Sequence, residues 1–588
     1  MSVPRCSEAT HELTARVLRS DISTFEELSD VIVGVGLVKP RKGVFVDSIS
    51  HVLVLATPND VSLVGLGFND ARELTFYMTG LSCPTDGISF STIRGTSNGR
   101  IFLSSIPNAA QPGGFGGDGC LYELGYQSAE GWFSKKCALA NLTAGGFTRA
   151  LVPTFLKSFT AVPAREWVVA LEVDMERGLL YTLLENKTIE MYQVPGAVPV
   201  SGAAGGDGPP YKVARCTDIL RQAQTICPGS PMLDARNFDI VALEVVSAKE
   251  AGSSKVGLVA VTSTGVRLYF THQRRGYSVY VPSNLPANLD LCHVRTPPVP
   301  AQGQQPSPTT VAFNNVSQAR FATGGFFLAA NSFSDEVDVL LATSPDIGRV
   351  WNSVLQGSTS RIFSEIAAEV QIEGRTWAIA EVTQRAPGIE SGLLSELATQ
   401  AIEPRREWVV LTHVGSNIVT RQRPVDTLLG VLARASMSGP AGANAEFKLF
   451  IDSFGRDQTC AMLLMVAAGN TNCDVRASAI AETAKSAFLQ AGERPVSSDG
   501  GYGAVTTTQQ PPRNMMFSGR HEALAYYLAR LMRPLWRVKI TKPAPTPTSP
   551  KRQVANVADS TLIRLQRDLS ALRTFVEKCA SLSRSSLS

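Results

Sequence analysis

The strongest structural signal in the sequence is a long series of short β-rich runs, broken by turns, from about residue 29 to about residue 430. Val, Leu, Ile and aromatic residues fill the runs, as in HVLVLAT (51–57) and WVVALEV (167–173), whereas Gly, Asn and Ser mark the breaks. Helix-length patterns are scarce in this part of the chain. Many short antiparallel strands over about 400 residues predict a β-propeller or a pair of barrels.

One sub-pattern recurs within this series: a hydrophobic run, a polar turn with glycine, and a second run that contains an aromatic residue. It appears in STIRGTSNGRIFL (91–103), LEVDMERGLLYTL (171–183) and VAVTSTGVRLYF (259–270). We interpret each copy as two adjacent strands of one propeller blade joined by a tight turn. The repetition favours the propeller over the barrels, although the chain shows neither a WD dipeptide nor a kelch signature.

Beyond about residue 425 the pattern changes to helices, which are predicted over 425–436, 446–468, 474–491, 521–538 and 560–580. The last of these carries an apolar stripe with alternating spacings of three and four residues, formed by Leu562, Leu565, Leu569, Leu572 and Val576. The stripe favours packing in a helical stack. A Pro-rich linker or loop, 541–553, separates the last two predicted helices.

A long insertion, 195–236, interrupts the strands and contains a predicted amphipathic helix over 212–227. The apolar face of that helix consists of Val213, Cys216, Ile219, Leu220, Ala223 and Ile226. An amphipathic helix within a flexible insertion can lie on a membrane surface. It can equally pack on the rim of the propeller, and the sequence leaves both interpretations open.

The stretch DGCLYELGYQSAEGWFSKKC (118–137) combines a strand pattern with an adjacent Trp132-Phe133 pair. The strand, Cys120–Tyr126, fits an early blade. The pair fits an apolar anchor that packs the following excursion onto the propeller, or a partner-binding hot spot, where Trp is enriched. No feature of the stretch indicates an active site.

Motifs that carry chemistry are not found in the sequence. There is no P-loop, no G-x-S-x-G and no H-E-x-x-H, the six histidines are isolated, and the ten cysteines are scattered without a C-x-x-C pair. We therefore predict a protein that is not an enzyme, with no catalytic residue, metal, cofactor or small-molecule substrate. A formal net charge of +4 does not suggest nucleic-acid binding, and no run of 18 apolar residues predicts a transmembrane helix.

Several stretches, taken in order, resemble one known family. They are LSDVIVGVGLVKPRKGVF (28–45), PTDGISFSTIRGTSNGRIFL (84–103), DGCLYELGYQSAEGWFSKKC (118–137), GLLYTLLENKTIEMYQV (178–194), FGRDQTCAMLL (454–464) and MFSGRHEALAYYLARLMRPLW (516–536). Over roughly residues 28–580 the chain is similar to the large inner-ring scaffold nucleoporins of the 155/170-kilodalton type.

The resemblance implies a seven-bladed β-propeller over 29–425, including the insertion 195–236, followed over 426–588 by the beginning of an α-helical solenoid with the loop 541–553. Residues 1–28 do not resemble the N-terminal region of the family, which leaves open whether the first blade is complete. Family members also continue through a longer solenoid than this chain contains.

The resemblance further implies a structural role in the inner ring of the nuclear pore complex at the nuclear envelope, supporting pore assembly and nucleocytoplasmic transport. The implied partners are other inner-ring nucleoporins, a membrane-anchored nucleoporin and the pore membrane. Family members carry a membrane-binding amphipathic loop in the propeller, and 212–227 is the corresponding segment here. The alternative is a vesicle-coat or membrane-tethering protein, because such proteins also pair a propeller with a solenoid.

Overall fold

The computed structural model describes most of the chain in separate stretches. The described residues are 14–18, 30–69, 73–105, 119–127, 136–143, 167–197, 208–247, 256–272, 288–297, 313–345, 365–382, 396–438, 440–473, 478–492, 518–536, 539–543 and 553–579. By its internal contacts the chain divides into two compact units. The first unit comprises residues 20–297 and 312–323, and the second comprises residues 1–19, 298–311 and 324–588.

The described β-rich part forms six antiparallel sheets of four strands each. The first strand, β1 (Thr14–Leu18), belongs to the sixth sheet. The first sheet contains β2 (Gly34–Val38), β3 (His51–Ala56), β4 (Asp60–Phe68) and β5 (Leu74–Pro84). The second contains β6 (Phe90–Gly95), β7 (Ile101–Ser105), β8 (Leu121–Gln127) and β9 (Lys136–Asn141). The third contains β10 (Val168–Asp174), β11 (Leu179–Leu184), β12 (Ile189–Gln193) and β13 (Tyr211–Cys216).

The remaining sheets follow the same plan. The fourth contains β14 (Ile240–Val245), β15 (Val256–Thr262), β16 (Arg267–Thr271) and β17 (Asp290–Arg295). The fifth contains β18 (Val316–Ala322), β19 (Phe326–Ser332), β20 (Val337–Pro345) and β21 (Glu365–Glu373). The sixth contains β22 (Thr376–Val382), β23 (Arg406–Thr412) and β24 (Gly415–Arg421), with β1 paired to β24.

The expectation of seven blades was wrong for the described part of the chain, which contains six four-stranded sheets. The strand β1 pairs with β24 and completes the sixth sheet, and the first sheet already has four strands of its own. For this reason β1 does not belong to a seventh sheet. No further set of four strands remains among the described residues. The three predicted hairpins are confirmed as the adjacent pairs β6–β7, β10–β11 and β15–β16.

Apolar faces hold successive sheets of the first unit together. Val52 and Val54 of β3 share a buried cluster with Phe90 and Ile93 of β6. Gly36 allows the sheets to approach closely, because a Cβ at this position would lie 2.5 Å from Cγ2 of Ile93. Comparable clusters join the second sheet to the third and the third to the fourth. Burial of these faces is the main favourable contribution to this arrangement.

A helical region follows the sixth sheet in the second unit. Its helices are α3 (Pro424–Ser438), α4 (Pro440–Phe454), α5 (Arg456–Ala467), α6 (Ser478–Ala491), α7 (Gly519–Trp536) and α8 (Asp559–Lys578); two short ones precede it, α1 (Ile219–Ile226) and α2 (Glu396–Thr399). The single helix predicted over 446–468 is divided between α4 and α5 at Gly455, whose φ of 83° ends the first of them. The predicted stripe of α8 contributes Leu565 and Leu572 to the helical core.

Candidate interaction sites

The insertion segment 211–227 is half strand and half helix. The predicted helix over 212–227 was wrong in its first part, because Tyr211–Cys216 forms β13 and pairs with β12. Two cations of β13 lie beside Glu190 of β12, with Lys212 Nζ at 2.6 Å and Arg215 Nε at 3.6 Å from its Oε1. Pairing with residues that lie 18 to 27 positions earlier in the chain therefore overrides the local helical periodicity. Asp218, with a left-handed φ of 52°, separates β13 from α1.

The six membrane-binding candidates come together on one apolar cluster of the third and fourth sheets. Cys216, Ile219 and Ala223 are buried in the cluster, and Val213, Leu220 and Ile226 pack against it partly buried. The exposed residues of α1 are Arg221, Gln224 and Thr225. In this conformation the apolar side of α1 is therefore covered by protein, and contact with a membrane stays a prediction. The candidate partner-binding residues Trp132 and Phe133 lie outside the described residues.

Ion pairs connect the first strands of successive sheets. Arg94 Nε of β6 lies 2.9 Å from Oε2 of Glu172 of β10, and Arg320 Nη1 of β18 lies 2.6 Å from Oε1 of Glu244 of β14. Burial raises the pKa of Glu244 to about 7, against the opposing effect of Arg320, and the nearby Glu172 raises it further. Each of these four side chains therefore has a partner of opposite charge on a neighbouring sheet.

Arg100 is buried at the turn between β6 and β7 and holds the connection between β12 and β13. Its Nε and Nη2 donate to the two carboxylate oxygens of Glu123 at 2.7 and 2.8 Å. Its Nη1 donates to the carbonyl oxygens of Pro195 and Gly208, each at 3.0 Å. The neighbouring Asn98 donates to the carbonyl oxygen of Gly196 at 2.9 Å. Both ends of the Gly/Pro-rich stretch of the insertion are thus fixed to the second sheet.

Arg423 is buried directly before α3 and joins the start of α3 to two connections of the second unit. Its Nε and Nη2 each donate to the carboxylate of Asp426 at 2.9 Å. Its Nη1 donates to the carbonyl oxygens of Gln400 and Glu403, and its Nη2 also donates to that of Asn472. All five N–H groups of the guanidinium are therefore used. Burial alone would lower the pKa of Arg423, but the bonds to Asp426 raise it.

Sequence reasoning missed both buried arginines. Asp426 stands three residues after Arg423, and this spacing at the start of a predicted helix could have indicated an ion pair. Glu123 stands 23 residues after Arg100, and no local pattern connects them. Within the part of the chain that the structure describes, no three His, Cys, Asp or Glu residues are grouped as a metal site. The described helices also include none that is both long and apolar enough to cross a membrane.

The fold and these sites define a class of protein: a chain that joins propeller-type β-sheets to a helical region and uses its buried charges to hold segments together. Comparison with known proteins identifies the family. The nucleoporin family model described as Nup133 N terminal like matches residues 9–418, and the model described as non-repetitive/WGA-negative nucleoporin C-terminal matches residues 518–587.

The curated relatives that the chain resembles are nuclear pore proteins. The chain is 30% identical, over 94% of its length, to nucleoporin NUP170 of Chaetomium thermophilum, of which it covers 39%. It is 28% identical, over 95% of its length, to the nuclear pore complex protein Nup154 of Drosophila melanogaster, of which it covers 43%. The chain belongs to the nucleoporins of the Nup170/Nup155 type, as the resemblance predicted, and is thereby placed at the nuclear pore complex of the nuclear envelope.

A solved structure gives the same fold. The Nup170 NTD in the Chaetomium thermophilum Nup170 NTD–Nup53 complex matches 96% of this chain and 73% of its own, with a TM-score of 0.74 and 28% identity. The correspondence extends over both the sheets and the helices. The chain nevertheless spans less than half the length of the two curated relatives just described.

Proposed function

We propose that this chain is a structural, non-enzymatic component of the inner ring of the nuclear pore complex, which supports pore assembly and nucleocytoplasmic transport. The observation that carries the proposal is the fold correspondence with the Nup170 NTD over 96% of the chain. The proposed domain limits are those inferred from the sequence, 29–425 for the propeller and 426–588 for the helical region.

Several described side chains that could carry chemistry have structural partners. Arg100 and Arg423 bind carboxylates and backbone carbonyl groups, and Glu244 is paired with Arg320. His272 Nε2 lies 2.7 Å from the hydroxyl oxygen of Tyr181, and burial lowers the pKa of this histidine to about 4. This half-buried histidine, bonded to the buried Tyr181, fits a structural role.

The proposed partners are other inner-ring nucleoporins, among them a Nup53-type protein, and a membrane-anchored nucleoporin. The first is suggested by the Nup53 in the complex with the related Nup170 NTD. Imaging of the tagged chain in cells tests the location: a nuclear-rim signal is expected. Golgi or endosomal puncta would instead favour the vesicle-coat or tethering alternative.

A binding measurement tests the partner separately from the location. Purified chain and a recombinant Nup53-type protein from the same organism are expected to form a complex in isothermal titration. Absence of binding, with a rim signal in cells, would remove this partner and leave the scaffold role standing.

We also propose that the segment 212–227 contacts the pore membrane. The proposal is supported by the amphipathic pattern of α1 and by the corresponding loop that the family resemblance implies. Membrane contact requires that α1 leaves the apolar cluster of the third and fourth sheets, because Ile219 and Ala223 are buried in that cluster. Small, highly curved vesicles with anionic lipid would favour this release by accepting the apolar face.

Liposome flotation with a paired set of variants tests the membrane contact. Leu220→Asp, on the partly buried side of α1, is expected to weaken flotation, and Ile219→Asp combined with Leu220→Asp should abolish it. Gln224→Asp adds the same charge on the exposed side of α1 and serves as the matched control. Equal flotation of the wild type and the Leu220 variant would contradict membrane contact through this face.

A further inference from the structure

Two cysteine side chains face each other between the first and second sheets. The strands β5 and β9 are the last strands of these sheets and lie next to each other. Side chains alternate along β5, and Cys83 lies on its buried side together with Leu81. The same alternation along β9 places Cys137 and Leu139 on its more buried side. All four residues contact the same apolar cluster, so the alternation directs the two thiols toward each other.

The two side chains are in contact, and both are in the free thiol form. The Cys137 thiol donates a hydrogen bond to Cys83 Sγ, which also accepts one from the backbone N–H of Leu139. The Cys83 thiol in turn donates to the carbonyl oxygen of Pro84 at 3.6 Å. Two thiols in hydrogen-bond contact are close enough for a disulfide to form after small side-chain rotations, whereas cysteines on separated strands are not.

The two thiols differ in their access to solvent. Cys83 is only 5% exposed, whereas Cys137 is partly exposed. A dissolved oxidant therefore reaches Cys137 first, and Cys83 is held behind it. Burial raises the pKa of Cys137 to about 12, and the neighbouring Cys83 adds to this effect. Because the thiolate is the reactive form, the pair reacts slowly at neutral pH.

We propose that Cys83 and Cys137 are an oxidation site, at which a small-molecule disulfide converts the two thiols into a disulfide that joins the first sheet to the second. The Cys137 thiolate attacks one sulfur of the oxidant, which releases one small thiolate and leaves a mixed disulfide on Cys137. The Cys83 thiolate then attacks the Cys137 sulfur, and the second small thiolate leaves. The protein loses two electrons to the oxidant, and the two cysteine protons go to the two released thiolates.

The disulfide adds a covalent connection between two sheets. The strands β5 and β9 belong to different sheets, and apolar packing joins them in the thiol form. A bond between Cys83 and Cys137 limits how far the two sheets separate in the unfolded chain. We therefore expect the oxidised form to have a thermal midpoint about 5 °C above that of the thiol form, and a reducing agent to reverse the shift.

Oxidation of the purified full chain with excess oxidised glutathione tests the proposal. After the remaining thiols are blocked with N-ethylmaleimide, tryptic digestion without reduction is expected to yield the peptides 73–94 and 137–149 joined by a disulfide. A reducing agent added before digestion should separate them. The initial rate of joining should rise about tenfold per pH unit between about pH 7 and 9, because the thiolate fraction of Cys137 grows in that proportion below its pKa.

Two variants distinguish the roles of the two cysteines. Cys83→Ala is expected to stop at the mixed disulfide and to retain glutathione on Cys137. Cys137→Ser should leave the enclosed Cys83 without glutathione. Cys292→Ser, which removes an exposed thiol from β17, is the matched control and should oxidise as the wild type does. Circular dichroism of each variant should match that of the wild type.

The wild-type peptide map decides the proposal even where a variant fails to fold. Peptides 73–94 and 137–149 that stay blocked, keep glutathione or join only to other peptides would overturn it. An unchanged thermal midpoint after oxidation would contradict the connection between the sheets. A rate that levels off below about pH 9, or glutathione retained on Cys83 in the Cys137 variant, would contradict the assignment of Cys137 as the attacking thiol.

Discussion

Arg100 and Arg423 use the same chemistry in two different regions of the molecule. Each is buried, each binds both oxygens of a carboxylate, and each donates to backbone carbonyl groups. Arg100 joins two segments of the sheets, the strand that carries Glu123 and the connection between Pro195 and Gly208. Arg423 joins three segments of the second unit: the connection that contains Gln400 and Glu403, the first turn of α3 with Asp426, and the connection that contains Asn472.

The difference shows how each region is held. In the sheets, paired strands and apolar faces already fix the chain on both sides of Arg100, so the arginine adds to a framework that exists without it. The carbonyl groups bonded to Arg423 lie in two connections, which have few ladder hydrogen bonds of their own. The loss of Arg423 should therefore release more of the chain than the loss of Arg100.

The largest expected effect is that of Arg423→Ala, which leaves the buried Asp426 with only the longer contact to Arg405, at 3.9 Å, and leaves several carbonyl groups without a donor. We expect the free energy of unfolding to fall by about 4–5 kcal/mol, compared with about 3 kcal/mol for Arg100→Ala. Urea unfolding of both variants measures the difference. Equal decreases in the free energy of unfolding would show that the number of segments an arginine joins does not determine how far its removal destabilises the protein.

The next prediction distinguishes the contribution of the positive charge from that of the guanidinium geometry at Arg100 and Arg423. Lysine keeps the positive charge but cannot bind both carboxylate oxygens and several carbonyl groups at once. We expect Arg100→Lys and Arg423→Lys each to lower the free energy of unfolding by about 2 kcal/mol. Values near zero in urea unfolding would mean that charge alone is sufficient at these sites.

A smaller effect, dependent on pH, distinguishes the Glu244–Arg320 pair from the two arginine sites. The folded pKa of Glu244, about 7, lies above its ordinary value of 4.5, so the folded state holds this proton more tightly than the unfolded state does. Its contribution to stability is therefore fully present below pH 4.5 and is lost as the pH rises to about 7.

Thermal midpoints at several pH values within that window measure the contribution of Glu244. Glu244→Gln has no titrating carboxyl group, so its profile should lack the part of the decline that Glu244 causes. Identical slopes for the wild type and the variant would contradict the assignment.

The smallest expected effect comes from an exposed pair that serves as the reference. Arg573 and Glu577 lie one turn apart on α8, and the Arg573 side chain is 81% exposed. Solvent screens such a pair, so Arg573→Ala should leave the thermal midpoint unchanged within error. A clear decrease in the thermal midpoint would mean that the exposure of an arginine does not predict how far its removal destabilises this protein.

Local patterns predicted the strands and hairpins well, because the signals that define them lie within a few residues. Alternating apolar runs mark β10 and β11, and Gly178 takes the left-handed φ of 66° that the turn between them requires. The same holds for β15 and β16, joined at Gly265 with φ of 73°. The helix that became α8 was likewise predicted from the spacing of its leucines.

Predictions failed where the partner of a segment lies far away in the sequence. The residues of β13 have the spacing of a helix, but the edge of β12 offers hydrogen bonds to their backbone, and Glu190 offers a partner for their cations. The number of sheets also depends on a distant partner, because β1 pairs with a strand about 400 residues later. For the same reason, the apolar pattern of α1 could not reveal that the cluster covers Ile219.

The sequence by itself determined most strands and helices, the three predicted hairpins and the family, since each depends on short-range spacing or on residues in a fixed order. Tertiary structure alone decided the number of sheets, the burial of the α1 face and the partners of Arg100. Those features depend on which surfaces meet, and two surfaces can meet irrespective of their separation along the chain.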